Sequence, residues 1–142
     1  MKTLLFAALL LWNGTKITHS DEEWRSLLGR ERYCVMRKKA TEPAFSGRFL
    51  SFEDKGTYLC AGCHYALFSS EEKIDAKNGW PAFRKPILQV QVWIKEDRSL
   101  PFRRYEVLCR TCDSHLGHVF RDRKEGPLRY TINSIALDFT PN

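Results

Sequence analysis

Two pairs of cysteines, each spaced C-x-x-C, are the residues of this chain whose types and spacing point most directly to chemistry. Cys60 and Cys63 form the first pair and Cys109 and Cys112 the second, with 45 residues (64–108) between them. Two thiolates three positions apart on a tight turn can bind one side of a tetrahedral metal ion, and a second pair completes the shell. Thiolates in this geometry favour Zn²⁺. The pattern therefore predicts one structural Cys₄ zinc site, with two disulfides or a redox-active pair as the alternatives.

A closed shell of four thiolates leaves no coordination position for a substrate, so any catalytic chemistry must lie elsewhere in the chain. The fifth cysteine, Cys34, has no partner in this pattern. An odd cysteine in a secreted protein is either buried and inert or a free reactive thiol. We interpret Cys34 as inert.

Length and composition predict one soluble globular domain. The chain has 142 residues, of which 43% are hydrophobic and 28% charged, as in ordinary soluble domains. The formal net charge of +6 is spread along the sequence, and residues 37–39 are its densest basic run. Such a run is more often a solvated surface than a nucleic-acid site, so we predict no nucleic-acid partner.

The N-terminus has the pattern of a secretory signal peptide. Lys2 precedes the apolar run of residues 4–12 (LLFAALLLW), and the small residues Thr18 and Ser20 suit a cleavage site. The run is shorter than the roughly 20 residues of a membrane span. We predict a signal peptide over residues 1–20, a mature domain over residues 21–142, and secretion or residence in the secretory lumen without a membrane span. An uncleaved interfacial or disordered tail is the alternative.

The remaining sequence predicts the elements that must position the cysteines. Residues 21–28 have helical spacing of apolar residues, started by Ser20 or Asp21 and ended by Gly29, and residues 33–39 either extend that helix or are irregular. From residue 49 onwards short apolar or alternating stretches predict strands. These stretches are residues 57–59, 66–68, 88–94, 105–108, 118–120 and 129–139. The chain therefore predicts a mainly β, antiparallel domain with a short helical N-terminus.

Four segments resemble the methionine-R-sulfoxide reductase (MsrB) family in order and spacing: LCAGCHYALF, NGWPAFRKPI, EVLCRTCDSHLGHVFRD and GPLRYTINSIALDF. TEPAFSG resembles the N-terminal loop of that family, and the resemblance extends over about residues 27–139. It implies a fold of two antiparallel β-sheets, with the Cys₄ zinc on the side away from the active site. It also implies an oxidoreductase of the oxidative-stress response, a peptide-methionine (R)-S-oxide reductase. Such an enzyme acts on methionine-R-sulfoxide in proteins or peptides and uses a thioredoxin-like reductant.

The resemblance also implies roles for individual residues. Trp80 and Phe120 would form an apolar cage around the S-methyl group of the substrate, a role that suits aromatic faces. His118, and behind it His115, would lie near the sulfoxide oxygen, where an imidazole can protonate the departing oxygen.

Three further residues complete the implied site. Asp122 and Arg129 would orient the catalytic histidine group and adjust its charge. Asn133 would add a hydrogen bond. Taken singly, each of the implied site residues is better explained by a purely structural role. Only their common order in the sequence favours a site.

Thr131 departs from the family pattern at the decisive position. The family has its nucleophile, a cysteine or selenocysteine, between the RY and INS elements, and here residue 131 is threonine. A thiolate accepts the sulfoxide oxygen to become a sulfenic acid and is then recycled. A threonine hydroxyl is hardly ionised near neutral pH, and accepting oxygen would convert it to a hydroperoxide with a weak O–O bond. Lys77 and Asn78 precede Gly79, where many relatives carry a resolving cysteine.

Three functional hypotheses follow. The first is a working reductase, and Thr131 is evidence against it. Cys34 is the possible substitute nucleophile, but its position gives no sign of an activating base. The second, which we prefer, is an impaired or inactive relative that keeps the sulfoxide pocket as a recognition module. The third is a zinc-stapled secreted scaffold with an unrelated extracellular partner.

Overall fold

The computed structural model describes residues 14–142, in which two short helices and nine strands alternate with brief 3₁₀ turns. The helices are α1 (Asp21–Leu28) and α2 (Arg30–Lys38). The strands are β1 (Gly56–Cys60), β2 (Ala66–Ser69), β3 (Lys73–Ile74), β4 (Ala82–Phe83), β5 (Val92–Asp97), β6 (Arg104–Cys109), β7 (His115–Arg121), β8 (Leu128–Ile132) and β9 (Leu137–Pro141). Neither helix of this part of the chain is long and apolar enough to cross a bilayer.

The strands form two antiparallel sheets. The smaller sheet has the order β2-β1-β9, and the larger has the order β3-β4-β8-β7-β6-β5. The alternating stretch of residues 129–139 is interrupted by a 3₁₀ turn at Ser134–Ala136, so that β8 belongs to one sheet and β9 to the other. The predicted fold class, mainly β with two antiparallel sheets and a short helical N-terminus, is confirmed.

Aromatic side chains join the two sheets in a common core. Phe68 of the smaller sheet stacks on Phe83 of the larger one, with ring centroids 4.5 Å apart. Tyr58 of β1 contacts the same Phe83 ring edge-on at 5.1 Å. All three side chains are fully buried, and stacked and edge-to-face rings add stabilisation beyond the area that they bury.

Helix α1 begins and ends where the sequence predicts. The Ser20 hydroxyl accepts a hydrogen bond from the Glu23 amide, and the Glu23 carboxylate accepts one from the Ser20 amide, which is a complete capping box. Gly29 ends the helix with φ 76°, a conformation that suits a residue without a side chain. Trp24 and Leu28 form the buried face of the helix.

The predicted signal peptide lies largely outside the described residues, since these begin at residue 14. Within residues 14–20, the Ile17 amide donates a hydrogen bond of 2.8 Å to the Thr111 carbonyl. Cleavage after Ser20 would remove this contact and the N-cap of α1. The signal peptide and its boundary at residue 20 stay predictions.

The strand predicted over residues 88–94 is partly wrong. Gln89–Gln91 form a 3₁₀ turn, and the strand begins only at Val92. Gln91 is fully buried, whereas Leu88 and Val90 are 39% and 40% exposed. The Gln91 side-chain oxygen accepts a hydrogen bond from the Leu88 amide at 2.7 Å. This local hydrogen bond keeps the Gln91 side chain buried. Simple alternation predicts the opposite, with Gln91 exposed and Leu88 and Val90 buried.

Candidate active site and metal centre

The two C-x-x-C segments fold into matching knuckles at the ends of β1 and β6. In each knuckle the fourth residue after the first cysteine donates its amide to that cysteine's carbonyl, His64 to Cys60 at 2.7 Å and Asp113 to Cys109 at 2.9 Å. His64 and Asp113 both adopt left-handed backbone conformations, with φ of 63° and 60°. Each knuckle therefore turns its chain back tightly enough to present two thiols to one point.

The four sulfur atoms converge on a single centre. All lie within 4.8 Å of one another, and two pairs taken across the knuckles are closer: Cys60–Cys112 at 3.7 Å and Cys63–Cys109 at 3.6 Å. A disulfide needs about 2 Å between sulfurs, whereas four thiolates about 2.3 Å from one tetrahedral zinc lie about 3.8 Å apart. The four cysteines are thus free thiols in a cluster that could hold a metal ion.

Five of the residues predicted for the active site, His115, His118, Phe120, Arg129 and Thr131, lie on the neighbouring strands β7 and β8 of the larger sheet, whereas Trp80, Asp122 and Asn133 lie just outside strands. Thr131 of β8 is directly opposite His118 of β7 on one side and Ala82 of β4 on the other. Phe120 and Arg129 are the next opposite pair on that face of β7 and β8. Because side chains alternate along a strand, these residues share one face while Val119, Tyr130 and Ile132 enter the core.

A cleft of about 250 Å³ opens over this face of the sheet. Among its lining residues are Trp80, His118, Phe120, Arg129, Thr131 and Asn133, with Thr41 and Arg104 added to those predicted. None of the four clustered cysteines lines it. Larger depressions of about 570 and 630 Å³ lie elsewhere on the described surface, and neither is lined by a residue predicted to be catalytic.

Trp80 is fixed at the mouth of this cleft by the loop after α2. Its indole nitrogen donates a hydrogen bond of 3.1 Å to the Glu42 carbonyl. The same loop is held from beneath by Asn133, whose side-chain oxygen accepts from the Glu42 amide at 2.9 Å and whose side-chain nitrogen donates to the Leu116 carbonyl at 3.0 Å. The Asn133 amide is therefore already occupied with protein partners, although the residue borders the cleft.

Arg129 connects Asp122 to Thr131, the residue at the predicted nucleophile position. Its guanidinium donates to both carboxylate oxygens of Asp122, at 2.7 and 3.2 Å, and to the Thr131 hydroxyl at 2.8 Å. The guanidinium carbon also lies 5.0 Å from the centre of the Phe120 ring, within the range of a cation–π contact. The hydrogen bonds from Arg129 lower the pKa of Asp122. Arg129 thus places a fixed positive charge beside residue 131.

His118 is held by a buried carboxylate that the sequence analysis missed. Its Nε2 lies 2.8 Å from Asp97 Oδ2, which also accepts a hydrogen bond of 3.2 Å from Arg104. Burial opposes the ionisation of Asp97, but hydrogen bonds from the Ser99 amide and from His118 outweigh it and hold the Asp97 pKa well below its usual range. Since Asp97 is ionised, Nε2 carries the shared proton and Nδ1 is the nitrogen left to exchange a proton with a ligand.

Burial lowers the pKa of His118 itself. The hydrogen bond to Asp97 opposes this effect, and the positive charge of Arg104 adds to it. His118 is therefore biased towards the neutral imidazole.

His115 lies behind His118, as predicted, and repeats its arrangement. The two rings meet edge-on with centroids 5.3 Å apart, and His115 Nδ1 lies 2.7 Å from Glu106 Oε2. His115 and Glu106 are only 3% and 4% exposed. Burial opposes the ionisation of Glu106, yet the hydrogen bond from His115 and the charge of Lys39 lower its pKa. Two carboxylates thus support two histidines in series.

Asp97, Glu106, Arg104 and Lys39 were missed because they are far from the HLGHVF segment in sequence. One signal was present for Glu106, which is a charged residue among the apolar residues of the strand that enters the second knuckle. For Asp97 and Arg104 the sequence offers no comparable signal, since their placement depends on the register of β5 against β6, in which they pair. The placement of Lys39 depends instead on how the end of α2 packs against the larger sheet.

Cys34 is exposed on α2, so the interpretation of it as a buried, inert thiol is wrong with respect to burial. It lines the depression of about 630 Å³ and not the cleft that contains Thr131. Thr41 is the residue that borders both.

Gly117 allows β7 to approach β8 closely enough to position Thr131. A Cβ atom on Gly117 would lie 2.0 Å from the Thr131 carbonyl oxygen. We expect Gly117→Ala to lower the free energy of unfolding by about 2–4 kcal/mol, since the strands must separate. Urea unfolding checks this, with Gly126→Ala as the control because its Cβ would meet side-chain carbon at 3.2 Å. Equal losses for the two variants would contradict it.

Comparison with known proteins adds evidence that is independent of this geometry. Residues 28–141 match the SelR domain. The peptide methionine sulfoxide reductase MsrB of Methanosarcina mazei is 47% identical over 126 residues, covering 88% of this chain and 90% of that protein. The protein of the same name from Leptospira interrogans is 45% identical, covering 87% of this chain and 95% of its own length. That from Bradyrhizobium diazoefficiens is 47% identical over 128 residues, covering 89% and 91%.

Proposed function

This chain belongs to the SelR-domain family of the peptide methionine sulfoxide reductases MsrB, and from that premise we propose that it recognises methionine-R-sulfoxide in proteins or peptides without reducing it. Reduction stops at Thr131, which occupies the position of the family's nucleophile. The protein is then a recognition module built on the scaffold of an oxidoreductase.

One observation carries this proposal: Trp80, His118, Phe120, Arg129 and Asn133, all predicted from the sequence, line one cleft together with Thr131 at the predicted nucleophile position. Trp80 and Phe120 provide aromatic surface, His118 is held by an ionised carboxylate, and Arg129 donates to the side chain at position 131. Holding a charged network of this kind in place requires several buried polar contacts. Such contacts are costly to keep where no ligand uses them.

The chemistry of each group supports recognition. Aromatic faces favour the polarisable sulfur and its methyl group. The sulfoxide oxygen is a strong acceptor, and a histidine that gains a proton when that oxygen arrives could donate to it through Nδ1. Reduction needs one step more, in which a nucleophile forms a bond to the sulfoxide sulfur and finally keeps the oxygen. Thr131 would have to end as a hydroperoxide, and the weak O–O bond of that product makes the oxygen transfer energetically unreasonable.

We also propose that the four-cysteine cluster holds one structural zinc ion. The convergence of four thiols at the separation expected for tetrahedral thiolates supports this, and zinc in such a shell contributes to folding. Secretion remains a proposal that rests on the N-terminal residues. In an oxidising compartment the thiols would need to bind metal early, before disulfides form. A thioredoxin-like reductant would be needed only if the protein catalysed the reduction of methionine sulfoxide.

Calorimetric titration of the zinc-loaded protein tests recognition. We expect a peptide with methionine-R-sulfoxide to bind at least tenfold more tightly than its S-epimer or its unoxidised form. Trp80→Ala should weaken this binding by about tenfold or more because it removes one wall of the cleft.

Trp93→Ala is the matched control. This tryptophan donates a hydrogen bond to Asp113 beside the second knuckle and does not line the cleft. Absence of binding to the natural protein, or equal affinity for the two epimers, would refute the recognition proposal.

A further inference from the structure

Lys39 follows the last residue of α2 in an unusual backbone conformation. Its φ of 64° and ψ of 28° are left-handed. Helices that end in this way usually place glycine or asparagine at such a position, because a larger side chain is strained there. A lysine at this position suggests that its side chain makes contacts that offset the strain.

Those contacts are with the two carboxylates behind the cleft. Lys39 Nζ lies 3.3 Å from Asp97 Oδ1 and 3.3 Å from Glu106 Oε1. The other oxygens of these carboxylates face His118 and His115, at 2.8 and 2.7 Å. One ammonium group therefore bridges the carboxylates of β5 and β6 that hold the two histidines of β7.

The bridge also sets the charge balance behind the cleft. Asp97 and Glu106 have side chains that are 1% and 5% exposed, whereas that of Lys39 is 38% exposed. The charged or titratable groups around His118 come from the end of α2 and from β5, β6, β7 and β8. They are Lys39, Asp97, Arg104, Glu106, His115 and Arg129. Among the described residues, removing Lys39 leaves Arg104 as the one permanent cation that is ion-paired with Asp97, and it leaves none that is ion-paired with Glu106. That change would stabilise the protonated form of His118.

We propose that Lys39 is a positioning residue, which fixes the orientation and charge of Asp97 and Glu106 and, through them, the two histidine rings of the cleft. The functional purpose of this positioning rests on the proposed recognition of methionine sulfoxide. The contacts of Lys39 with Asp97 and Glu106 do not depend on that proposal. Lys39 contacts neither the lining of the cleft nor Thr131, so its effect must be indirect.

The titration of His118 by NMR tests this inference in the ligand-free, zinc-loaded protein. The signal is assigned by its loss in His118→Asn. In Lys39→Gly we expect the titration midpoint of His118 to rise by about half a pH unit or more, because a neighbouring positive charge is lost. Glycine suits the left-handed conformation, so this variant should stay folded.

Two matched variants separate this role from others. Lys39→Arg keeps the cation and should keep the midpoint close to that of the natural protein. Lys38→Met removes the adjacent lysine, whose Nζ lies 4.0 Å from Asp21, and should leave His118 unchanged. An unchanged midpoint in Lys39→Gly, or an equal rise in Lys38→Met, would overturn the inference.

The titration needs no substrate, so it stands or falls independently of the proposed function. If the natural protein binds the R-sulfoxide peptide, Lys39→Gly should weaken that binding severalfold and shift its pH dependence upward, since His118 is then protonated at higher pH. Unaltered affinity with an unaltered pH profile would contradict the positioning role.

Discussion

Replacing Thr131 by cysteine should convert this protein into a reductase of methionine-R-sulfoxide. A thiol at position 131 would stand where the Arg129 guanidinium now donates to the Thr131 hydroxyl at 2.8 Å, and a cation at that distance favours the reactive thiolate. The thiolate bonds to the sulfoxide sulfur, and the oxygen ends on the cysteine as a sulfenic acid while the thioether leaves. Dithiothreitol then reduces the sulfenic acid to the thiol, with release of water and formation of its own disulfide.

The expected gain is on the order of a thousandfold over Thr131→Ser, which keeps a hydroxyl nucleophile in the same place. Reduction is followed by chromatography of a peptide carrying either epimer, with dithiothreitol as the reductant. The S-epimer should remain unchanged. Activity of Thr131→Ser equal to that of Thr131→Cys would show that residue 131 is not the nucleophile position, and an inactive Thr131→Cys that still binds the R-epimer would show that the cleft lacks another catalytic group.

Opening the metal shell should have the largest effect on stability. Cys109→Ser removes one of four converging ligands, at a side chain that is fully buried. Because the binding energy of a structural zinc is part of the folding energy, we expect a loss on the order of 5 kcal/mol or more. A loss of that size approaches the whole stability of a small domain. Chemical unfolding, together with metal analysis of both proteins, measures it.

Cys34→Ser is the matched control, since it exchanges the same atoms at an exposed position. Its effect should stay within about 0.5 kcal/mol. The natural protein should contain one zinc per chain and the Cys109→Ser variant much less. Equal losses of stability in the two variants, or a folded natural protein without metal, would contradict the assignment of the cluster.

Much of this architecture follows from local patterns in the sequence. The ends of α1 are predictable because Ser20, Glu23 and Gly29 form their bonds within one helical turn. The cleft face of β7 and β8 is predictable because His118 and Phe120, like Arg129 and Thr131, are two residues apart. The four-cysteine cluster is predictable because each knuckle holds its two thiols within four residues.

The supporting groups behind the cleft are not predictable in this way. Asp97 reaches His118 across 21 residues of sequence, and Lys39 reaches Asp97 from the end of a helix. These contacts depend on how α2 packs against the larger sheet, and a single sequence contains no periodic signal for such packing. The prediction for Gln91 is wrong for a different reason. A local side-chain hydrogen bond keeps Gln91 buried, whereas the alternation of apolar and polar residues predicts that it is exposed.

Cys34 is the cysteine outside the four-thiol cluster, and its thiol is exposed. Thr41 borders both the depression that Cys34 lines and the cleft that contains Thr131, so Cys34 is the alternative nucleophile to test. We assign Cys34 no catalytic role, because it does not line the cleft in which the sulfoxide would bind.

The most direct test is therefore the dithiothreitol-driven assay on the natural sequence, with all five cysteines in place and zinc bound. We predict that neither epimer is reduced, even at peptide concentrations that saturate binding of the R-epimer. Steady turnover of the R-epimer, abolished by Cys34→Ser, would contradict the central claim that reduction stops at Thr131.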